Sequence, residues 1–134
     1  MEVSSAKLHR IVKVPKSYIW KRFEAFKEVG RILPPPIIDK VVGESNDVGS
    51  LRFLTLGEKQ KFPGQVIERL ESKFNDSFLV YSIVDDSCLP VRNYIASLSL
   101  VMLSEEETDV TLSSHWIPIG SSSVSYTHLR AHET

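Results

Sequence analysis

The sequence predicts an α+β domain in which a cupped antiparallel sheet of about seven strands wraps one helix. Three observations carry that expectation. Helical spacing of apolar residues occurs near the N-terminus and is cut off by proline, strand-like alternation fills most of residues 37–117, and the links between strands are too short for parallel crossovers.

Residues 7–14 end in apolar alternation and stop at Pro15, which suits a first strand. Pro15 then fits the first turn of a helix, where its missing N–H costs nothing. Over 15–27, Ile19, Phe23 and Phe26 recur at helical spacing, while Lys16, Lys21, Arg22, Glu24 and Lys27 fall mostly on other faces. Gly30 and the run Pro34, Pro35, Pro36 end the helix, because consecutive prolines remove donors and push each preceding residue out of the α region.

Six further strands are expected over 37–43, 50–56, 62–72, 78–84, 93–103 and 109–117, with turn residues at 46–49, 57–60, 75–76, 85–90 and 105–108. Tyr94, Ala96, Leu98, Leu100 and Met102 share one face of their strand, with Ser97 and Ser99 on the other. In the last strand Val110, Leu112 and Trp116 oppose Asp109, Thr111, Ser113 and His115. Such strands bury one face of a sheet.

A chain of 134 residues with 42% hydrophobic and 25% charged residues is an ordinary composition for one domain. Sixteen Lys+Arg against seventeen Asp+Glu leave a net charge of −1, so no field favours phosphate backbones or anionic lipid. The expected partners therefore exclude nucleic acid. No apolar stretch approaches the ~18 residues of a membrane span, the N-terminus has no apolar leader core, and the chain reads as cytoplasmic. Cys88 is the single cysteine, a packed or loop thiol with no internal disulfide available to it.

The order of elements resembles the START-like, helix-grip superfamily, which includes polyketide cyclases and dehydrases, plant lipid-transport relatives and the birch-pollen-allergen fold. The residues that carry the resemblance are Val14, Pro15, Ile19, Trp20 and Phe23; Leu33, Pro34 and Pro35; Val48 through Arg52; and Tyr81 to Val84 with Leu89, Pro90, Val91, Asn93 and Tyr94. It spans Val3 to about Pro118. Gly49 to Arg52, followed by Val66 to Leu70, looks most similar to the branch containing plant lachrymatory-factor synthase, where an Arg on one strand and a Glu on the next act inside the cavity. Arg52 and Glu68 fall on the matching positions.

The resemblance implies binding of a small hydrophobic, lipid-like or polyketide-like molecule in an internal cavity, without a cofactor. A cofactor-independent cyclase, dehydratase or isomerase using Arg52 and Glu68 is the second reading, and a protein-interaction module the third. Glu68 alternates with Val66 and Leu70, and Arg52 with Leu54 and Leu56, so both can point into an apolar cup. A carboxylate there suits a proton shuttle, and the guanidinium can hold it ionised or bind a substrate oxyanion. The alternative is an ordinary cross-strand ion pair facing solvent, with Leu51 and Phe53 on the buried side. Tyr81, Tyr94 and Trp116 are candidate ligand contacts or simple packing residues. His9 and His115 read as solvated strand residues, the run 105–107 as a solvated hairpin tip, and no spacing supports a metal site.

Residues Val124 to Thr134 resemble one reading frame of a transposase-type sequencing adapter. The domain is accordingly expected over residues 1–123, with 124–134 foreign to it. The four-residue spacing of His128 and His132 then carries no metal-binding weight. Proteins of this resemblance close the open mouth of the sheet with a long C-terminal helix. The few apolar residues of the tail cannot form its stripe, so that helix is expected to be missing.

Overall fold

A computed structural model of the chain describes residues 2–26 and 38–120. Its elements run β1 (Ser4–Val12), α1 (Lys16–Glu24), β2 (Ile38–Gly43), β3 (Leu51–Leu56), β4 (Gly64–Phe74), β5 (Phe78–Val84), β6 (Val91–Ser104) and β7 (Glu107–Pro118). The seven strands form one curved antiparallel sheet in the order β1-β7-β6-β5-β4-β3-β2. Apart from the β1–β7 pairing, this is the meander that the short connections require. The proline run and residues 124–134 lie outside the described residues, and so does the expectation that a C-terminal helix is missing.

Turn chemistry sets the register. Gly49 adopts φ 93°, which lets its N–H reach the Leu70 carbonyl at 2.7 Å, and Asp76 and Asp85 take positive φ at the ends of β4 and β5. Gly64 opens β4 at φ 133°, and a Cβ placed there would stand 2.8 Å from Cys88 Cβ. The β5–β6 loop therefore packs directly onto the β4 backbone.

The helix starts from Pro15, whose carbonyl accepts from the Tyr18 and Ile19 amides, and it ends at Glu24, short of the expected 27. Its buried side is built by Ile19 and Trp20, with Phe26 just beyond and Phe23 only partly covered. Trp20 thus joins the stripe that spacing alone gave to Phe23. Its indole N–H donates to Glu24 Oε2 at 2.8 Å, which satisfies the polar end of a buried ring.

Ile19, Trp20 and Phe26 pack on Leu70, Leu79, Leu98 and Leu100, so the helix covers part of the concave face. Two further groups of buried residues form separately, Leu54, Leu56 and Val66 on β3–β4, and Val91, Tyr94, Ala96 and Trp116 on β6–β7. The alternation expected along β6 holds from Tyr94 to Leu100, but Met102 is 60% exposed. It lies where the β6–β7 hairpin runs past Phe78, the first residue of β5, and loses its neighbours on that side. Thr108 Oγ1 donates to the Val14 carbonyl at 2.8 Å and ties β7 to the strand–helix link.

Candidate functional site

Arg52 and Glu68 are placed by the alternation of β3 and β4. Leu54, Leu56, Val66 and Leu70 take the concave face, and the two charged residues share it as a directly opposed pair. Both are nearly closed to solvent, Arg52 at 5% and Glu68 at 7% exposure. Leu51 and Phe53, the alternative buried face, are only half-buried. A solvent-facing ion pair is excluded.

The guanidinium is held on every side. Its Nε and Nη2 each lie 2.6 Å from Glu68 Oε1, and Nη1 donates to the Phe26 carbonyl at 3.0 Å. Its carbon lies 3.9 Å from the centre of the Phe26 ring and 4.9 Å from that of Tyr81. Those two rings are themselves 6.4 Å apart and tilted by 55°. Aromatic faces carry negative charge density, so they stabilise a cation that has been taken out of water. Nε and Nη2 thus converge on Oε1 of the carboxylate.

The other three candidates also lie on the concave face. Tyr81 packs against both the helix-covered group and the β6–β7 group, which makes it the bridge between the two. Tyr94 and Trp116 stack, ring centres 5.9 Å apart. The sequence missed two members of this region. Phe26 contributes its carbonyl and ring to Arg52, and only its place at the end of the helical stripe pointed to it. Ser114 is fully buried on the same side of β7 as Trp116, and its even spacing from Trp116 and Leu112 was the available signal.

Beside this face a cleft of about 470 Å³ opens between the 85–89 loop and the start of β6, with Ile83, Tyr94 and Ile119 among its walls. That volume is in the range of small-molecule sites. Cys88, on the same loop, is half-buried against the β3–β4 group, and burial pushes its thiol pKa up. His9 lies in contact with Asp109 on the exposed side of the sheet, 2.6 Å apart, and His115 is exposed, as expected of solvated strand histidines.

Comparison with solved structures decides the architecture. Norcoclaurine synthase from Thalictrum flavum superposes with a TM-score of 0.73 at 12% identity, over 98% of this chain and 92% of that one. A Streptomyces aromatase/cyclase superposes with a TM-score of 0.77 at 12% identity, over 97% and 84%. The chain has the helix-grip fold. An uncharacterised protein from Bacillus thuringiensis shares this helix-grip architecture with a TM-score of 0.73 at 20% identity, over 97% and 90%. No protein-family model matches the chain, and no curated protein matches it. Among the described residues of this helix-grip chain, no helix is long and apolar enough to cross a membrane.

Proposed function

We propose that the chain binds a small apolar molecule under the concave face of its sheet, with the Arg52–Glu68 pair as the polar element of the site. The observation that carries this reading is a buried ion pair aimed at the concave side rather than at solvent. The three groups of buried residues meet only through the partly buried Tyr81, Ile83 and Leu89, and only one of them packs under the helix, which supports a hollow over a filled core. That separation also argues against the interaction-module reading. The norcoclaurine synthase structure that contains dopamine and hydroxybenzaldehyde has the same fold, which adds precedent for aromatic, oxygen-bearing ligands.

Titration with 1-anilinonaphthalene-8-sulfonate, whose emission rises in apolar surroundings, tests the proposal. Ala6 is half-buried against the β6–β7 group, so on this reading Ala6→Leu would reduce the space under that part of the sheet. Saturable binding that Ala6→Leu removes without changing the circular dichroism supports the reading. Binding indifferent to that substitution overturns it.

A second reading, cofactor-independent proton-transfer catalysis of the cyclase, dehydratase or isomerase kind, is favoured by the placement of the Glu68 carboxyl beside Arg52 among the leucines and valine of the concave face. Glu68 then relays a proton while Arg52 fixes its orientation. The match of Gly49 to Arg52 and Val66 to Leu70 with the lachrymatory-factor-synthase branch supports the same roles. Glu68→Gln preserves the shape and removes the titrating group, so turnover is lost while binding survives. Equal loss of both would give the pair a structural role only.

A further inference from the structure

Backbone contacts hold both walls of the 470 Å³ cleft. The Cys88 N–H donates to the Gln65 carbonyl at 3.1 Å, and the Ile119 N–H donates to the Pro90 carbonyl at 3.0 Å. Within the loop, Ser87 Oγ accepts from the Leu89 amide at 3.2 Å. The inner surface is apolar: Ile83 and Leu89 are half-buried, and Ile119 keeps 51% of its surface exposed. Ile83 also stands directly opposite Glu68 in the β4–β5 register, so the cleft adjoins the concave face.

Tyr94 brings an unused hydroxyl to this surface. The residue is only 5% exposed and its ring stacks on Trp116, so the side chain is fixed. Among the described residues the hydroxyl makes no hydrogen bond, and it is not one of the unpartnered polar atoms closed to solvent, which are Ser114 Oγ and Trp116 Nε1. It therefore remains reachable from the cleft that Tyr94 lines. A buried side chain that leaves its polar end unpaired is uncommon, and a phenolic oxygen can both donate and accept.

The charges of the cleft point the same way. Asp85, Asp86 and Arg92 line it, all three are exposed, and none makes an ion pair among the described residues. Two carboxylates against one guanidinium leave the cleft net negative, and apolar walls concentrate that field. An ammonium group has three N–H donors, and two carboxylates and the Tyr94 oxygen supply three acceptors. We infer that the cleft binds an apolar amine, with the ammonium group held by Asp85, Asp86 and the Tyr94 hydroxyl and the apolar body against Ile83, Leu89 and Ile119. This site neighbours the proposed concave-face site and does not depend on it.

Three naphthalene probes of similar shape test this at neutral pH: cationic 1-naphthylmethylamine, neutral 1-naphthalenemethanol and anionic 1-naphthoate. The amine should bind roughly ten-fold tighter than the alcohol, the low end for hydrogen bonds to charged groups because both carboxylates are exposed. Naphthoate should bind most weakly, and the backbone amide shifts caused by the amine should centre on residues 83–94 and 119. Asp85 has φ 58°, which asparagine also tolerates, so Asp85→Asn with Asp86→Asn removes the charge and keeps the loop. That double variant should bring the amine down to the level of the alcohol. Tyr94→Phe keeps the stack on Trp116 and should weaken amine binding about five-fold, the factor of one net hydrogen bond. Should Tyr94→Phe fail to fold, the double variant decides. Equal affinity for the three probes, naphthoate as the tightest ligand, a preference that survives the double variant, or shifts centred on Phe26 and Arg52 would each overturn the amine site. A wild type that binds none of the probes overturns it too, and leaves the concave-face site to its own dye titration.

Discussion

Arg52 and Glu68 stand directly opposite each other between β3 and β4, with guanidinium Nε and Nη2 both 2.6 Å from a single carboxylate oxygen. Two charges this far from water stabilise each other but cost desolvation, so the pair as a whole contributes little net stability. Removing one partner is different. Glu68→Leu leaves the arginine charge buried between Phe26 and Tyr81, and the expected loss is about 3–5 kcal/mol. The double change Arg52→Met with Glu68→Leu should recover most of it. Denaturant unfolding of the three proteins checks this, and a single-substitution cost under about 1 kcal/mol would mean a solvated pair.

Gly64 gives a test of the loop that bounds the cleft. Gly64→Ala combines φ 133° with a Cβ 2.8 Å from Cys88, whereas Gly49→Ala meets φ 93° in open space. A strained backbone alone costs about 1–3 kcal/mol, so both variants should lose stability, and Gly64→Ala should lose more. Equal melting temperatures for the two would show that the 85–89 loop yields freely and does not fix the wall of the cleft.

The convex face carries a pH-dependent contribution. Ser82 Oγ donates to Glu71 Oε2, and Arg69 Nε donates to the same atom at 2.8 Å. These hydrogen bonds, led by that of Ser82, outweigh burial and hold the Glu71 carboxyl below the usual carboxylate range. A group with a lowered folded-state pKa adds stability above its unfolded pKa and loses it as pH falls through the folded value. Glu71→Gln should therefore flatten the acid side of the stability–pH curve and leave its alkaline side unchanged. Parallel curves for the two proteins would remove Glu71 from the acid response.

The strand meander was legible because each strand carries its own period and each turn its own residues. Arg52 and Glu68 were readable because they alternate with leucines and valine on strands joined by a short connection. Several features depended on contacts between distant residues. The Phe26 carbonyl reaches Arg52 across 26 positions, and no local pattern marks a backbone acceptor as a site residue. Strand ends shifted by two or three residues, as at β1 and β4, because pairing with β7 and β5 decides them. Met102 fits the apolar alternation of β6, yet its exposure follows from the length of the neighbouring strand.

The central claim is that the concave face holds a small apolar molecule, and native mass spectrometry tests it most directly. Protein purified without detergent, and the same protein incubated with 1-anilinonaphthalene-8-sulfonate, would be sprayed from volatile buffer beside the Ala6→Leu variant. The account predicts a noncovalent adduct of one small molecule per chain, either carried through purification or taken up on incubation, and its loss in the variant. The bare chain mass under both conditions, or an adduct that the variant retains in full, would contradict it.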